Sequence, residues 1–492
     1  MNGTRKALVA FAGLPILLAG CKVGPNYVRP QATAPSVTMP AAFSEQPSTS
    51  VQAGEWKPAT PADAAIGGGW WKLFSDEDLN RLEEQVATAN QSLKAAEANF
   101  RAARAQVAVS KSQLFPTIGV GPSSGTVRDS LNQPYFNRNS VNNGSGDFSL
   151  PIDLNYEVDL WGRVRRGITA AREQTQASAA DLAAARLSLQ AELALDYFNL
   201  RSIDAQMHLL DDTVKAYQEA LKLTQDRYDE GITPLSDVSQ ARTQLQAAEV
   251  IRTDLGNDRA ADQHAIAILI GLPPENFRLD PAPPNATMKP LPNIPLTVPS
   301  ELLERRPDIA SMERHMAAAN EQIGIAKTAY YPDLNISATA GFVGTSAVNW
   351  FTWPSRFWAI GNTLTETAFD GGKRRAGVQV AQANYDATVA NYRQTVLTSF
   401  GQVEDNLAAL RVLEVEAKQQ HDATHSAEET LDLFNTRYEG GVDTCLQVIT
   451  SQTAALQNER NDIQIQLRRE QASVLLIKAL GGGWTTQEIP KI

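Results

Sequence analysis

The stretch Gln106–Val120, QVAVSKSQLFPTIGV, returns as Gln322–Ile336, QIGIAKTAYYPDLNI, and each copy breaks at a proline, Pro116 or Pro332, from one rhythm into another. An internal repeat constrains a fold strongly, because both copies must form the same unit and pack together. Before Pro116, Leu79, Leu82, Val86, Leu93, Ala96, Phe100 and Val107 recur at helical spacing from Asp76 to Gln113. After each proline the period changes to two. Phe148, Leu150, Ile152, Leu154, Tyr156, Val158 and Leu160 alternate with smaller or polar residues, as do Leu334, Ile336, Ala338, Ala340 and Phe342. The pattern predicts hairpins over 117–159 (Thr117–Val127 with Asp147–Asp159) and 333–369 (Asp333–Thr345 with Arg356–Phe369).

Each hairpin leads into a long proline-free helical stretch, 162–230 and 372–439. At 1.5 Å per residue each would extend about 100 Å. In the second, Val378, Ala381, Tyr385, Val389, Tyr392, Val396, Phe400, Val403, Leu407 and Leu410 mix eleven- and seven-residue repeats. The eleven-residue repeat stays close to the natural helical period, so the helix needs little supercoiling. Both stretches end alike, at RYDEGITPLSDV (Arg227–Val238) and RYEGGVDTCLQV (Arg437–Val448). The pairs Arg227–Tyr228 and Arg437–Tyr438 lead to Gly231 and Gly441, which read as C-cap glycines. Shorter helices follow over 235–270 and 445–480, so the unit recurs after about 210–216 residues. The expected organisation is a signal peptide (1–20), an extended Pro-rich segment (21–69), repeat 1 (70–272), a Pro-rich linker (273–299), repeat 2 (300–480) and a tail (481–492).

The leader carries Arg5 and Lys6 before an apolar run of a dozen residues, too short to span a bilayer. It ends in Leu18-Ala19-Gly20-Cys21, like the lipobox of bacterial lipoproteins, which makes Cys21 the expected lipid-attachment residue. Cys445 is the only other cysteine, so no intramolecular disulfide is expected in the mature chain. Of the 492 residues 20% are charged, and the net charge is -11 with no basic run, which argues against a nucleic-acid partner. No later segment has the roughly 18 apolar residues of a membrane helix, so any membrane crossing falls to β-strands. The hairpin strands have that length, and Trp350, Phe351, Trp353, Phe357 and Trp358 suit an interfacial girdle. Four strands cannot close a barrel, and an open sheet in lipid leaves peptide groups unpaired. Two chains would give eight strands around a filled interior, and three would give twelve around a lumen.

The segments CKVGPNY (Cys21–Tyr27), WWKLFSDEDL (Trp70–Leu79), DLWGRVRR (Asp159–Arg166), LIGLPP (Leu269–Pro274), LLERRPDI (Leu302–Ile309), FDGGKRRA (Phe369–Ala376) and RYEGGVD (Arg437–Asp443) together resemble the TolC-like outer-membrane factors. The likeness is to their lipoprotein branch, which serves resistance–nodulation–division efflux systems. It implies a mainly helical fold: a homotrimeric twelve-stranded β-barrel, four strands per chain, continued by a periplasmic α-barrel. It also implies the outer membrane of a Gram-negative bacterium, a periplasmic adaptor and an inner-membrane pump. The periplasmic tip would be closed at rest. In relatives acidic rings line that constriction; the matching positions are Asp237 in repeat 1 and Gln447 and Thr450 in repeat 2, where no carboxylate stands. Tyr438 and Asp443 match positions that help hold the closed tip. From the residues alone, Asp237 as a solvated or N-capping acid at the start of a helix stays open.

No enzyme is expected. His421 and His425 stand one helical turn apart, but Asp422 replaces the glutamate of a zinc-protease HExxH and no third ligand is evident. GVGPSSG (Gly119–Gly125) fails dinucleotide spacing, and DGGKRR lacks the Ser/Thr of a phosphate loop. No cofactor beyond the lipid on Cys21 is implied. The expected function is a passive conduit exporting small toxic compounds. A protein-secretion conduit and a structural lipoprotein spacer remain as alternatives.

Overall fold

The computed structural model describes residues 22–33, 43–45, 69–128, 130, 144–283, 291–292, 294 and 302–491. The expected signal peptide, Cys21, most of the Pro-rich segment and part of the linker (284–290, 293 and 295–299) lie outside them. A short 3-10 turn, Trp70–Phe74, leads into α1 (Glu77–Ala89) and α2 (Gln91–Ser112). Then come β1 (Thr117–Val120), β2 (Ser123–Val127), β3 (Ser145–Val158), α3 (Arg163–Asp229) and α4 (Leu235–Leu269). The second copy comprises α5 (Leu302–Arg305), α6 (Pro307–Thr328), β4 (Asp333–Gly344), β5 (Arg356–Thr365), α7 (Lys373–Glu439) and α8 (Cys445–Ala479).

The repeat is close to residue-perfect in its helices. α3 and α7 are both 67 residues long and α4 and α8 both 35, each pair displaced by 210 positions (Arg163 to Lys373, Leu235 to Cys445). α2 and α6 are both 22 residues, displaced by 216 (Gln91 to Pro307). The six-residue difference is absorbed between Thr117 and Arg163, where the first hairpin is longer than the second.

Two sequence expectations change. The helix expected from Asp76 to Gln113 is broken at Asn90, where ψ is 126°. The Asn90 carboxamide accepts from Leu93 N–H at 2.9 Å and donates to the Leu269 carbonyl at 2.7 Å. Arg306, at the equivalent position, donates to the Ala479 carbonyl at 3.1 Å. One side chain per repeat thus satisfies an orphan carbonyl at the end of the 35-residue helix. The break was hidden because Leu79, Leu82, Val86 and Leu93 all remain buried on either side of it.

The strand expected over Thr117–Val127 divides into β1 and β2. Its register against β3 is nevertheless continuous, from Thr117↔Asn155 and Val120↔Ile152 to Ser123↔Ser149. Pro122 and Pro151 fall at the gap, and neither has an N–H for the ladder. Four tracks therefore form one antiparallel sheet, ordered β1/β2–β3–β4–β5, in which β3 and β4 join the two repeats. The register places Ile118 and Val120, then Leu150, Ile152 and Leu154, then Ala338 and Ala340, then Trp358 and Ile360 on one face. The other face carries Gly119, Asp153, Ser337, Thr339 and Gly361, mostly small or polar, with Val343 and Phe357 as the apolar exceptions toward one end. That is the alternation of a sheet with lipid on one side and water on the other.

Below the sheet the helices keep the same order. α2 packs on α3, α3 on α6 and α6 on α7; farther down the order becomes α4–α3–α8–α7. The largest core lies at the level of α1, where Trp70, Trp71, Leu79, Leu193, Tyr197 and Ile266 pack together. An equivalent glycine in each repeat makes a close backbone approach. Gly271 and Gly481 both have positive φ, and a Cβ on either would strike a carbonyl, Ala89 O or Arg305 O.

Candidate functional site at the helix-turn tip

Far from the sheet, α3 turns into α4 and α7 turns into α8. Each turn closes with the same pair of hydrogen bonds. Ile232 N–H reaches the Arg227 carbonyl (2.8 Å) and Gly231 N–H the Tyr228 carbonyl (2.9 Å). In repeat 2, Val442 N–H reaches Arg437 (2.9 Å) and Gly441 N–H reaches Tyr438 (3.0 Å). This is the Schellman pattern, which needs a left-handed residue, and Gly231 and Gly441 sit at φ 73° and 71°.

One residue difference separates the bonding of the two turns. In repeat 2 Arg437 forms an ion pair with Asp443, six residues on and in the same turn. The equivalent position in repeat 1 is Thr233, which offers no carboxylate, and Arg227 reaches across instead. Its guanidinium donates to the Tyr438 carbonyl at 3.0 Å and the Glu439 carbonyl at 3.1 Å, capping the end of α7. It also lies 4.3 Å from the centroid of the Tyr438 ring, a cation–π geometry. Tyr438 is consequently 7% exposed, whereas its counterpart Tyr228 is 38% exposed. The Tyr438 hydroxyl is 3.5 Å from Thr224 Oγ1, and its ring packs with Cys445 and Val448.

Asp237 and Gln447 occupy the same place, the third residue of α4 and of α8. The cap position of α4 is Pro234, which removes the N-capping reading of Asp237. Its half-buried carboxylate sits in the first helical turn, where the helix dipole favours negative charge. It is also close enough to the buried Cys445 to matter: burial pushes that thiol up first, the Asp237 charge pushes it further, and hydrogen bonds to Thr224 and Tyr438 oppose both. Gln447 and Thr450 are exposed, and the Thr450 hydroxyl is occupied by the Leu446 carbonyl at 2.8 Å.

The structure therefore gathers Arg227, Tyr438 and Asp237 around the junction of the two repeats. It leaves Tyr228, Gln447 and Thr450 outside that cluster and keeps Arg437 and Asp443 within their own turn. Thr224 and Cys445 belong to the cluster and were not singled out from sequence; the signal that could have found them is their helical spacing to Arg227 and Val448. His421 and His425 are both exposed on α7, and no group of three metal-ligating side chains occurs among the described residues.

Comparison with known proteins agrees with this architecture. The outer membrane efflux protein family matches residues 82–272 and 298–482. The outer membrane protein OprJ of Pseudomonas aeruginosa is 31% identical over 96% of this chain and 95% of its own length. The probable efflux pump outer membrane protein TtgC of Pseudomonas putida is 29% identical over 98% and 96%. Among solved structures, the outer-membrane channel OprN superposes with a TM-score of 0.82 at 28% identity, covering 94% of this chain and all of that one. The open state of the Neisseria gonorrhoeae MtrE outer membrane channel gives 0.80 at 25% identity over 95% and 99%. On these matches, the chain belongs to the outer membrane efflux protein family.

Proposed function

We propose that three copies of this chain form the outer-membrane conduit of a tripartite efflux system. Twelve β tracks would close a barrel in the membrane, and the helices would continue it as a periplasmic tube ending at the turns around Arg227 and Tyr438. The observation that carries this reading is a coincidence of edges. β1/β2 and β5 are the unpaired margins of the sheet, and α2 and α7 are the outer helices directly below them. An edge of peptide groups cannot stay open in lipid, so one neighbouring copy on each side would satisfy the sheet and the helices at once.

Relatives named as antibiotic, toluene or solvent efflux proteins support small toxic compounds as the cargo class. A periplasmic adaptor and an inner-membrane resistance–nodulation–division pump would supply coupling and energy, the conduit itself being passive and non-enzymatic. Lipid on Cys21 would tether it to the membrane. At the tip, Arg227, Tyr438 and Asp443 would hold the resting closure, and three copies of Asp237 would line it with modest cation preference, because Gln447 and Thr450 add no charge. Purified protein in planar bilayers should give discrete conductance steps, and deletion in a strain without a redundant conduit should raise sensitivity to several toxic compounds. Absence of both effects contradicts the proposal.

A further inference from the structure

The junction of sheet and helices contains a charged cluster that conduction does not need. Arg166, in the first turns of α3, is 0% exposed, and its Nη1 donates to Glu321 of α6 at 2.7 Å, a carboxylate itself 5% exposed. A buried charge needs a partner and satisfied donors. Here the remaining donors turn toward the N-terminal segment. Nε donates to the Val23 carbonyl at 2.5 Å, while Nη2 is buried, unpartnered and directed at Gly24. Lys22 Nζ lies 3.4 Å from the same Glu321 carboxylate, and Val23 N–H donates to the Trp161 carbonyl at 3.1 Å.

The space is fitted to this segment. Gly24 has φ 107°, and a Cβ on it would lie 2.5 Å from the Gly324 Cα. A Cβ on Gly324 would collide with the Arg166 guanidinium. Only a chain with glycine in a left-handed turn can enter, facing a helix with glycine at the same level. The following residues are held as well: Asn320 donates to the Pro25 carbonyl at 3.4 Å, and Arg29 reaches Glu313 at 3.6 Å. The slot thus joins residues from both repeats, next to Trp161, whose indole donates to the Pro332 carbonyl at 2.8 Å.

We infer that Arg166, Glu321 and Gly324 form a receptor slot for the chain's own Lys22–Pro25 segment, a latch that fixes the N-terminus to the sheet–tube junction. Lys22 directly follows Cys21, the expected lipid-bearing residue, so the latch ties anchor and sheet to one membrane depth. The apolar face of the sheet ends at the same level, at Val158 and Leu334. The slot rests on its own geometry and stands whether or not the conduit reading does.

Cleavage of the full-length protein in detergent by a lysine-specific protease, followed by mass spectrometry, tests the latch. Cutting after Lys22 removes the extreme N-terminus and requires the segment to leave the slot. Release should be slow in the unmodified chain. It should rise at least tenfold in Gly24→Ala, which alters the segment and no helix. It should rise similarly in the double variant Arg166→Met/Glu321→Met, which removes both buried charges together. Val28→Ala, at a residue 75% exposed beyond the slot, should leave it unchanged. Gly24→Ala decides the matter alone: release as slow as in the unmodified chain overturns the inference, whatever the double variant does.

Discussion

α3 and α7 are equal in length, equivalent in the repeat and similarly composed, yet twenty-one residues of α3 are buried and only eight of α7. The difference is position. α3 lies between neighbours on both sides, first α2 and α6, then α4 and α8, whereas α7 has α6 and α8 on one side only. The apolar stripe of α7 through Tyr392, Val396, Val403 and Leu407 is covered. A second set, Val380, Leu397, Val412, Val415 and Leu433, faces water in the single chain. Exposed apolar side chains spread along a helix of about 100 Å are what the proposed contact with a neighbouring copy would cover. The same element serves as core in one repeat and as edge in the other, and that asymmetry is what the proposed ring of three chains requires.

The largest expected effects separate the enclosed helix from the edge helix. Leu200 of α3 is fully buried, and Leu200→Ala should destabilise each chain by about 2–5 kcal/mol. Leu397 of α7 is 52% exposed. Leu397→Glu should leave the helical signal of the chain intact while abolishing assembly, read by size-exclusion chromatography with light scattering. Normal assembly of Leu397→Glu would show that α7 is an ordinary solvated surface.

The core beside α3 offers a pH test. Glu83 of α1 is fully buried with neither carboxylate oxygen bonded, and burial pushes its pKa up to about 9. The folded state therefore holds a proton that the unfolded chain releases near the ordinary glutamate value. Stability is highest below that value, falls as pH rises toward 9, and levels off above it. At neutral pH the cost is roughly 3 kcal/mol. Glu83→Gln should raise the melting temperature by a margin that grows from about pH 4.5 to pH 9; a margin independent of pH would mean that Glu83 is ionised when folded.

Smaller effects belong to the tip, where the two helices end. Arg227→Ala removes two hydrogen bonds to carbonyls and a cation–π contact between repeats, about 1–3 kcal/mol of local stabilisation. Arg437→Ala removes a largely exposed pair within one turn, about 0–1 kcal/mol. Bilayer conductance should rise more for the first than for the second, and the reverse order would relocate the closure to Asp443. Asp237→Ala should reduce cation preference slightly, and Gln447→Asp should strengthen it. Unchanged reversal potentials in both would remove this helical position from the lumen.

How much of this was legible follows from which forces act locally. Gly231 and Gly441 were readable because a left-handed turn leaves little choice of residue, and the α7 stripe was readable because helical spacing alone defines it. The break at Asn90 was not, because the apolar face runs through it and masks both the local cap on Leu93 N–H and the distant bond to the Leu269 carbonyl. Pro122 and Pro151 were visible, but their meeting at one gap depended on the register of β1 and β2 against β3. At the tip, the reach of Arg227 to Tyr438 follows from Thr233 standing where repeat 2 has Asp443, a contrast that acquires meaning only when the two turns lie side by side. The second set of apolar residues on α7 was present in the sequence, but which side lacks a neighbour is a fact of packing.

In the proposed conduit the open edges of sheet and tube are closed by further copies of the same chain. Native mass spectrometry of the detergent-solubilised protein measures this directly. One dominant species of three chains is expected, retained when detergent is exchanged for lipid nanodiscs. A stable single chain that inserts into nanodiscs with its β-sheet intact would contradict it.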